Sequence, residues 1–322
     1  MDYALLVEIW SQLLWPLTRI LIFVAIGLVI ASLIESLKWT DHMAALARPL
    51  IRLGNLSTIT GASFTMAFVS GVSANTMLAE ALDKGRLEKK EMILANLFNS
   101  LPRYFLHLPT VFFLTVPLIK GAAVIYVAIT FTASLLQTMT VVAASRILLP
   151  RPESAAVLKP KQSKKPTLSE ALARSLRRLK KRMKKIVLFM VPVYILFFLF
   201  TRLGIFDQLE EIFASAWFLS WLPPQSLGIV ILHVTAEFSA GLAAASALMA
   251  DDSLGVRGVV LALLAGNILA APIRAVRHQL PYYIGIFPPK LAMELVVVSQ
   301  AVRALCVIAV GFLYYHFSMS IQ

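Results

Sequence analysis

Inside the apolar run from Met92 to Ile119 stand Asn96, Arg103 and His107, and the same residue types return at the same spacing as Asn267, Arg274 and His278 in the run from Gly258 to Phe287. An amide, a guanidinium and an imidazole in such surroundings can bind an anion, donate hydrogen bonds or carry a proton. An Arg at the centre of a bilayer costs about 2.5–3.5 kcal/mol on insertion scales, so two of them need a partner or a purpose. Two roles are open. Pro102, Pro109, Pro272 and Pro281 interrupt the same segments and free backbone carbonyls, which each guanidinium could tie down. Alternatively, Arg103 and Arg274 face a central cavity and grip a phosphate or carboxylate with a fork that Lys does not supply. His107 and His278, one helical turn beyond each Arg, are candidates for proton coupling, and a hydrogen-bonded packing histidine fits as well. Asn96 and Asn267 suit hydrogen bonds to a substrate or between helices.

Upstream of each triplet lies a small-residue segment, GVSANTMLAEAL at 71–82 and EFSAGLAAASAL at 237–248, which places Ser73, Asn75 and Ser239 as further substrate-binding candidates. Glu237 breaks the correspondence, because its counterpart is Gly71, and it follows His233 by four residues. That pair is a candidate for ion coupling. Two ligands one turn apart are too few for a metal site, so no metal is expected. Glu294 and Arg303 in the last apolar run read as structural polar contacts. The chain has no nucleophile elbow, phosphate loop or HExxH, which argues against an enzyme and gives no reason to expect a cofactor.

The elements that must hold these residues are transmembrane. Hydrophobic residues make up 59% of the chain, its mean hydropathy is +0.79, and apolar runs long enough to span a bilayer recur throughout, so an all-α integral membrane protein is expected. The first run, Leu13 to Ile34, is long enough to stay as a span rather than be cleaved. A lone Cys306 excludes an intrachain disulfide framework. The net charge of +13 is concentrated in residues 151–185, which hold thirteen Lys and Arg against two Glu. A basic stretch between two apolar halves points to the cytoplasmic side and to anionic lipid, not to nucleic acid.

The halves are an internal duplication, read as residues 1–149 and 186–322 around a basic cytoplasmic linker with an amphipathic helix at 150–185. Loop charge sets their relative orientation. Lys38, Arg48 and Arg52, then Lys84, Arg86, Lys89 and Lys90, flank the first small-residue segment, whereas Asp207, Glu210 and Glu211, then Asp251 and Asp252, flank the second. Both flanks of the first look cytoplasmic and both flanks of the second external. Residues 57–82 and 224–250 then enter and leave on one side as re-entrant hairpins. Each half keeps three crossings, and the second is inverted relative to the first. Inverted repeats of this kind recur in secondary transporters, with the site at the midplane where interrupted helices meet.

The sequence GASFTMAFVSGVSANTMLAEAL leading into MILANLFNSLPRYFLHLP, repeated as LGIVILHVTAEFSAGLAAASAL leading into LLAGNILAAPIRAVRHQLP, resembles the nucleoside-recognition or Gate domain family. That family includes spore maturation proteins, parts of ferrous-iron permeases and the core of concentrative nucleoside transporters. The resemblance covers about 12–149 and 186–317 and implies a membrane permeation core. The chain departs from the iron permeases in lacking a GTPase domain, and its paired arginines favour an anion over a neutral nucleoside. The resulting expectation is a secondary transporter of a small polar or anionic solute in a bacterial-type cytoplasmic membrane. A scaffold or maturation factor, or an anionic-lipid flippase or exporter, are the alternatives, and a homo-oligomer is compatible with each.

Overall fold

The computed structural model describes residues 47–150 and 222–318, except Ala236, together with scattered positions between 7 and 26 and between 169 and 203. Most of the first apolar run and nearly all of the 150–185 linker lie outside the described residues. Among the described residues the chain is all-helical and contains no strand. In chain order the helices are α1 (Ala47–Leu53), α2 (Thr58–Ala67), α3 (Gly71–Asp83), α4 (Lys89–Phe98), α5 (Ser100–Ile119) and α6 (Gly121–Leu148), then α7 (Leu227–Thr235), α8 (Phe238–Ala250), α9 (Val256–Arg274), α10 (Leu280–Ile284) and α11 (Pro289–Phe317). Three of them, α6, α9 and α11, are long and apolar enough to cross a membrane.

The pairs α2/α3 and α7/α8 are each two short helices packed on one another. Their members run 10, 13, 9 and 13 residues, about 14–20 Å at 1.5 Å per residue, so none spans a hydrocarbon core of about 30 Å alone. Ser70, whose hydroxyl accepts from the Ser73 amide, caps α3. Glu91 of α4 reaches back to the start of α2, where its Oε1 accepts from the Ser57 amide and the Thr60 hydroxyl, each at 2.7 Å. In α8 every residue from Ala240 to Ser246 is buried, and in α9 every residue from Gly258 to Asn267. Such helices are enclosed on all sides, and small residues let their backbones come close.

The longest helix, α11, measures the molecule. Near its start Glu294 pairs with Lys89 at 2.6 Å. Near its end the guanidinium of Arg257 lies 5.0 Å from the Tyr315 ring centroid and donates to the Tyr315 carbonyl. Residues 294 and 315 are about 32 Å apart along the helix, close to the thickness of a bilayer's hydrocarbon core. The turn before α4 and the turn before α9 therefore sit at opposite ends of α11. Glu294 is a structural contact, as its sequence context suggested.

Candidate functional site

Two helix breaks build the centre. Pro102 lacks the amide hydrogen that Phe98 would accept, so the helix through Asn96 stops at Phe98 and resumes as α5 after Asn99. Arg103 spans the break: its Nη2 donates to the Asn96 carbonyl at 2.8 Å and its Nε to the Asn99 carbonyl at 3.0 Å. The second half of the chain holds a matching contact. Arg274 Nη2 donates to the Asn267 carbonyl at 3.0 Å, again seven residues back, where α9 gives way to a π-helical turn over Ala275–Gln279.

Each Asn then reaches a tyrosine from the other half of the chain. Asn96 Nδ2 donates to the Tyr283 hydroxyl at 3.1 Å, and Arg103 Nη1 donates to the same oxygen at 3.1 Å. Asn267 Nδ2 donates to the Tyr126 hydroxyl at 2.9 Å. The Tyr283 cluster is closed. Asn96 is fully buried and Asn75 nearly so, Asn96 Nδ2 also donates to Asn75 Oδ1, and Asn75 Nδ2 donates to the Tyr282 hydroxyl at 2.9 Å.

Beside it lies a chamber of about 320 Å³ between α5, α6, α9 and α11 and the π-helical turn after α9. Arg103, His107 and Tyr104 face it from α5, Tyr126, Thr130, Ser134 and Gln137 from α6, and Asn267 from α9. Gln279 closes it from the π-helical turn, and Ser299, Gln300 and Arg303 from α11. Two guanidiniums and no carboxylate line this space, so its field is positive. Ser100 Oγ, Ser134 Oγ and Gln300 Oε1, all on its wall, are buried with no hydrogen-bond partner among the described residues. Buried polar atoms in native proteins are satisfied, so a cluster of three orphans marks a space that holds water or a polar solute.

Arg303 is the residue that sequence reasoning assigned to structure, and the structure gives it the more open position. It stands at the midpoint of α11, keeps accessible surface where it lines the chamber, and donates from Nη2 to Asn267 Oδ1 at 3.0 Å. Arg103 commits three nitrogens to protein acceptors, whereas Arg303 makes that one hydrogen bond among the described residues. Arg274 stands one layer back. Its Nη2 shares the Asn267 Oδ1 acceptor at 2.9 Å, and its Nη1 lies 3.1 Å from His233 Nε2. A guanidinium only donates, so Nε2 accepts and the His233 ring proton sits on Nδ1. The chamber is thus faced by Arg103 and Arg303, where the sequence suggested Arg103 and Arg274, and Arg274 reaches it through Asn267.

The other candidates are dispersed. Ser73 is exposed and bonds to Ser70, and Ser239 is half-buried at the start of α8. Glu237 caps α8. His278 is exposed in the π-helical turn. His233 is packed between two glycines: a Cβ at Gly241 would meet its Cβ at 2.9 Å, and one at Gly266 its Nδ1 at 2.6 Å. No group of three or more potential metal ligands occurs among the described residues. The residues that sequence reasoning missed are Arg303, Tyr126, Tyr283 and the three glutamines of the chamber. The one available signal was a lone Arg at the centre of an apolar run with no echo in the other half.

The chain is similar to three proteins of Methanocaldococcus jannaschii. It is 26% identical to uncharacterized protein MJ0871 over 89% of each chain. It is 22% identical to uncharacterized protein MJ0880 over 90% of this chain and 94% of the relative, and 25% identical to uncharacterized protein MJ1556 over 87% and 88%. No family model matches the chain, and no solved structure does.

Proposed function

We propose that the protein is a secondary transporter of a small anionic solute, which it binds in the midplane chamber and exposes to the two sides of the membrane in turn. The observation that carries the reading is the chamber itself, which is free of carboxylates, faced by Arg103 and Arg303, and lined by the unpaired hydroxyls of Ser100 and Ser134. Arg303 and Arg103 hold the anion, and the Ser134 hydroxyl and the Gln137 amide donate its remaining hydrogen bonds. Asn96, Asn267 and Arg274 fix the wall. Two inverted repeats with re-entrant pairs α2/α3 and α7/α8 supply the moving parts. Supporting this are the matched Arg-to-Asn carbonyl bonds, the short paired helices, and the placement of the Lys89 and Arg257 ends at opposite ends of α11. The resemblance to Gate domain proteins agrees with a permeation core, although paired guanidiniums suit a charged solute better than a neutral nucleoside.

A non-transporting scaffold is the competing reading, favoured by the carbonyls that occupy Arg103 and Arg274. Access to water separates the two. Ser134→Cys and Ser299→Cys, each in a Cys306→Ala background, should react in membrane vesicles with an anionic, membrane-impermeant methanethiosulfonate reagent from at least one side. Well-folded variants that stay unreactive from both sides would leave only the scaffold.

A further inference from the structure

A second hollow, of about 430 Å³, runs along α9 and α11 outside the chamber. Its lining is wholly hydrocarbon or aromatic and includes Leu264, Leu269, Ile308, Gly311 and Phe312. Leu269, Ile308 and Phe312 are exposed, so the hollow is a groove open on the side where bilayer hydrocarbon lies. Val307 lines both the groove and the chamber, one helical turn beyond Arg303. The two helices run antiparallel here: Asn267 meets Arg303, Leu264 faces Gly311, and Arg257 meets Tyr315. From Arg303 to Tyr315 is about 18 Å of helix, close to the ~15 Å hydrocarbon depth of one leaflet. At Gly311 the groove has no side chain, and a Cβ there would meet Leu264 at an ordinary contact distance of 3.5 Å.

We propose that chamber and groove form one site for a membrane lipid with an anionic head group, the head bound at Arg303 and Arg103 and a hydrocarbon tail lying in the groove past Val307. This rests on the transport reading and names its substrate class. Charge complementarity selects the head, because two guanidiniums face no carboxylate. The wall shared at Val307 selects the tail, because a free anion would have no use for an apolar groove one turn from its binding group. The tail stays in hydrocarbon while the head crosses the midplane, so the greasy part of the molecule is never exposed to water.

The test uses the full chain in phosphatidylcholine vesicles doped with phosphatidic acid that carries a photoreactive diazirine in its tail. Irradiation should label the groove residues of α9 and α11 several-fold more strongly than the exposed outer residues Val124 and Ile147 of α6. Phosphatidylcholine with the same tail should show no such preference. Arg303→Gln should bring groove labelling down to the α6 level. Gly311→Leu, or Ile308→Trp at an exposed position, should do the same by filling the groove while leaving the chamber thiol of Ser134→Cys reactive. Equal labelling by the two lipids, or labelling that survives Arg303→Gln, would overturn the proposal. If instead the chamber thiol is protected by glycerol phosphate and the groove shows no lipid preference, the site takes a soluble anion and only the lipid assignment falls. An unreactive chamber thiol removes both readings.

Discussion

Two tyrosine hydroxyls do similar work in different surroundings, and removing them separately tests whether the chamber is wet. Tyr283 is fully buried, and its hydroxyl contacts Asn96 Oδ1 at 3.2 Å as well as accepting from Asn96 and Arg103. Tyr283→Phe leaves Asn96 Oδ1 without a partner in a cluster closed to solvent. Leaving a buried polar group unsatisfied costs about 1–3 kcal/mol. Tyr126 is also buried, but its hydroxyl accepts only from Asn267 among the described residues, and its ring borders the chamber. Water in the chamber can replace it there. Tyr126→Phe should therefore cost about 0.6 kcal/mol, the typical value of an interhelical hydrogen bond in a membrane. Denaturant unfolding of the two variants in mixed micelles, followed by circular dichroism, gives the comparison directly. A Tyr126→Phe penalty equal to or larger than that of Tyr283→Phe would mean that the chamber is as dry as the Asn96 cluster, and the reasoning from its orphaned oxygens would fail.

Gly241→Ala and Gly266→Ala should each destabilise by about 1–3 kcal/mol through overpacking against His233, whereas Gly121→Ala, with open space around its Cβ, should be neutral or slightly stabilising; melting temperatures in detergent check this. Glu294→Gln should change stability by less than about 1 kcal/mol in the same assay, because its partner Lys89 is solvent-exposed. Reporter fusions after residues 86 and 252 should report opposite sides of the membrane. Fusions reporting the same side would contradict the inverted arrangement.

Where a feature was written into residue type and spacing, the sequence disclosed it. The repeated Asn and Arg stood out because charge recurring at a fixed interval in apolar segments has few causes, and both arginines do tie the carbonyl of the Asn seven residues before. The short paired helices were visible as small-residue segments between charged flanks of one sign. What escaped depends on how helices are rotated against each other. Tyr126 and Tyr283 reach across the halves, and nothing in their local sequence says which face of the helix will meet an Asn. Arg303 escaped for another reason: the position matching it in the first half is Thr132, so a search for echoes passes over it. A rule based on depth, asking which basic residue sits farthest from both ends of its helix, selects it immediately.

The Asn267 side-chain oxygen serves both Arg274 and Arg303, which uses up its two lone pairs. Asn267→Asp keeps the shape, and the Tyr126 hydroxyl can turn to donate, yet it installs a permanent counter-ion where the incoming cargo would sit. Such a protein should assemble normally while competing with its own ligand. Inactivation by self-neutralisation, with architecture preserved, would be the signature of a molecule whose working part is an unbalanced charge.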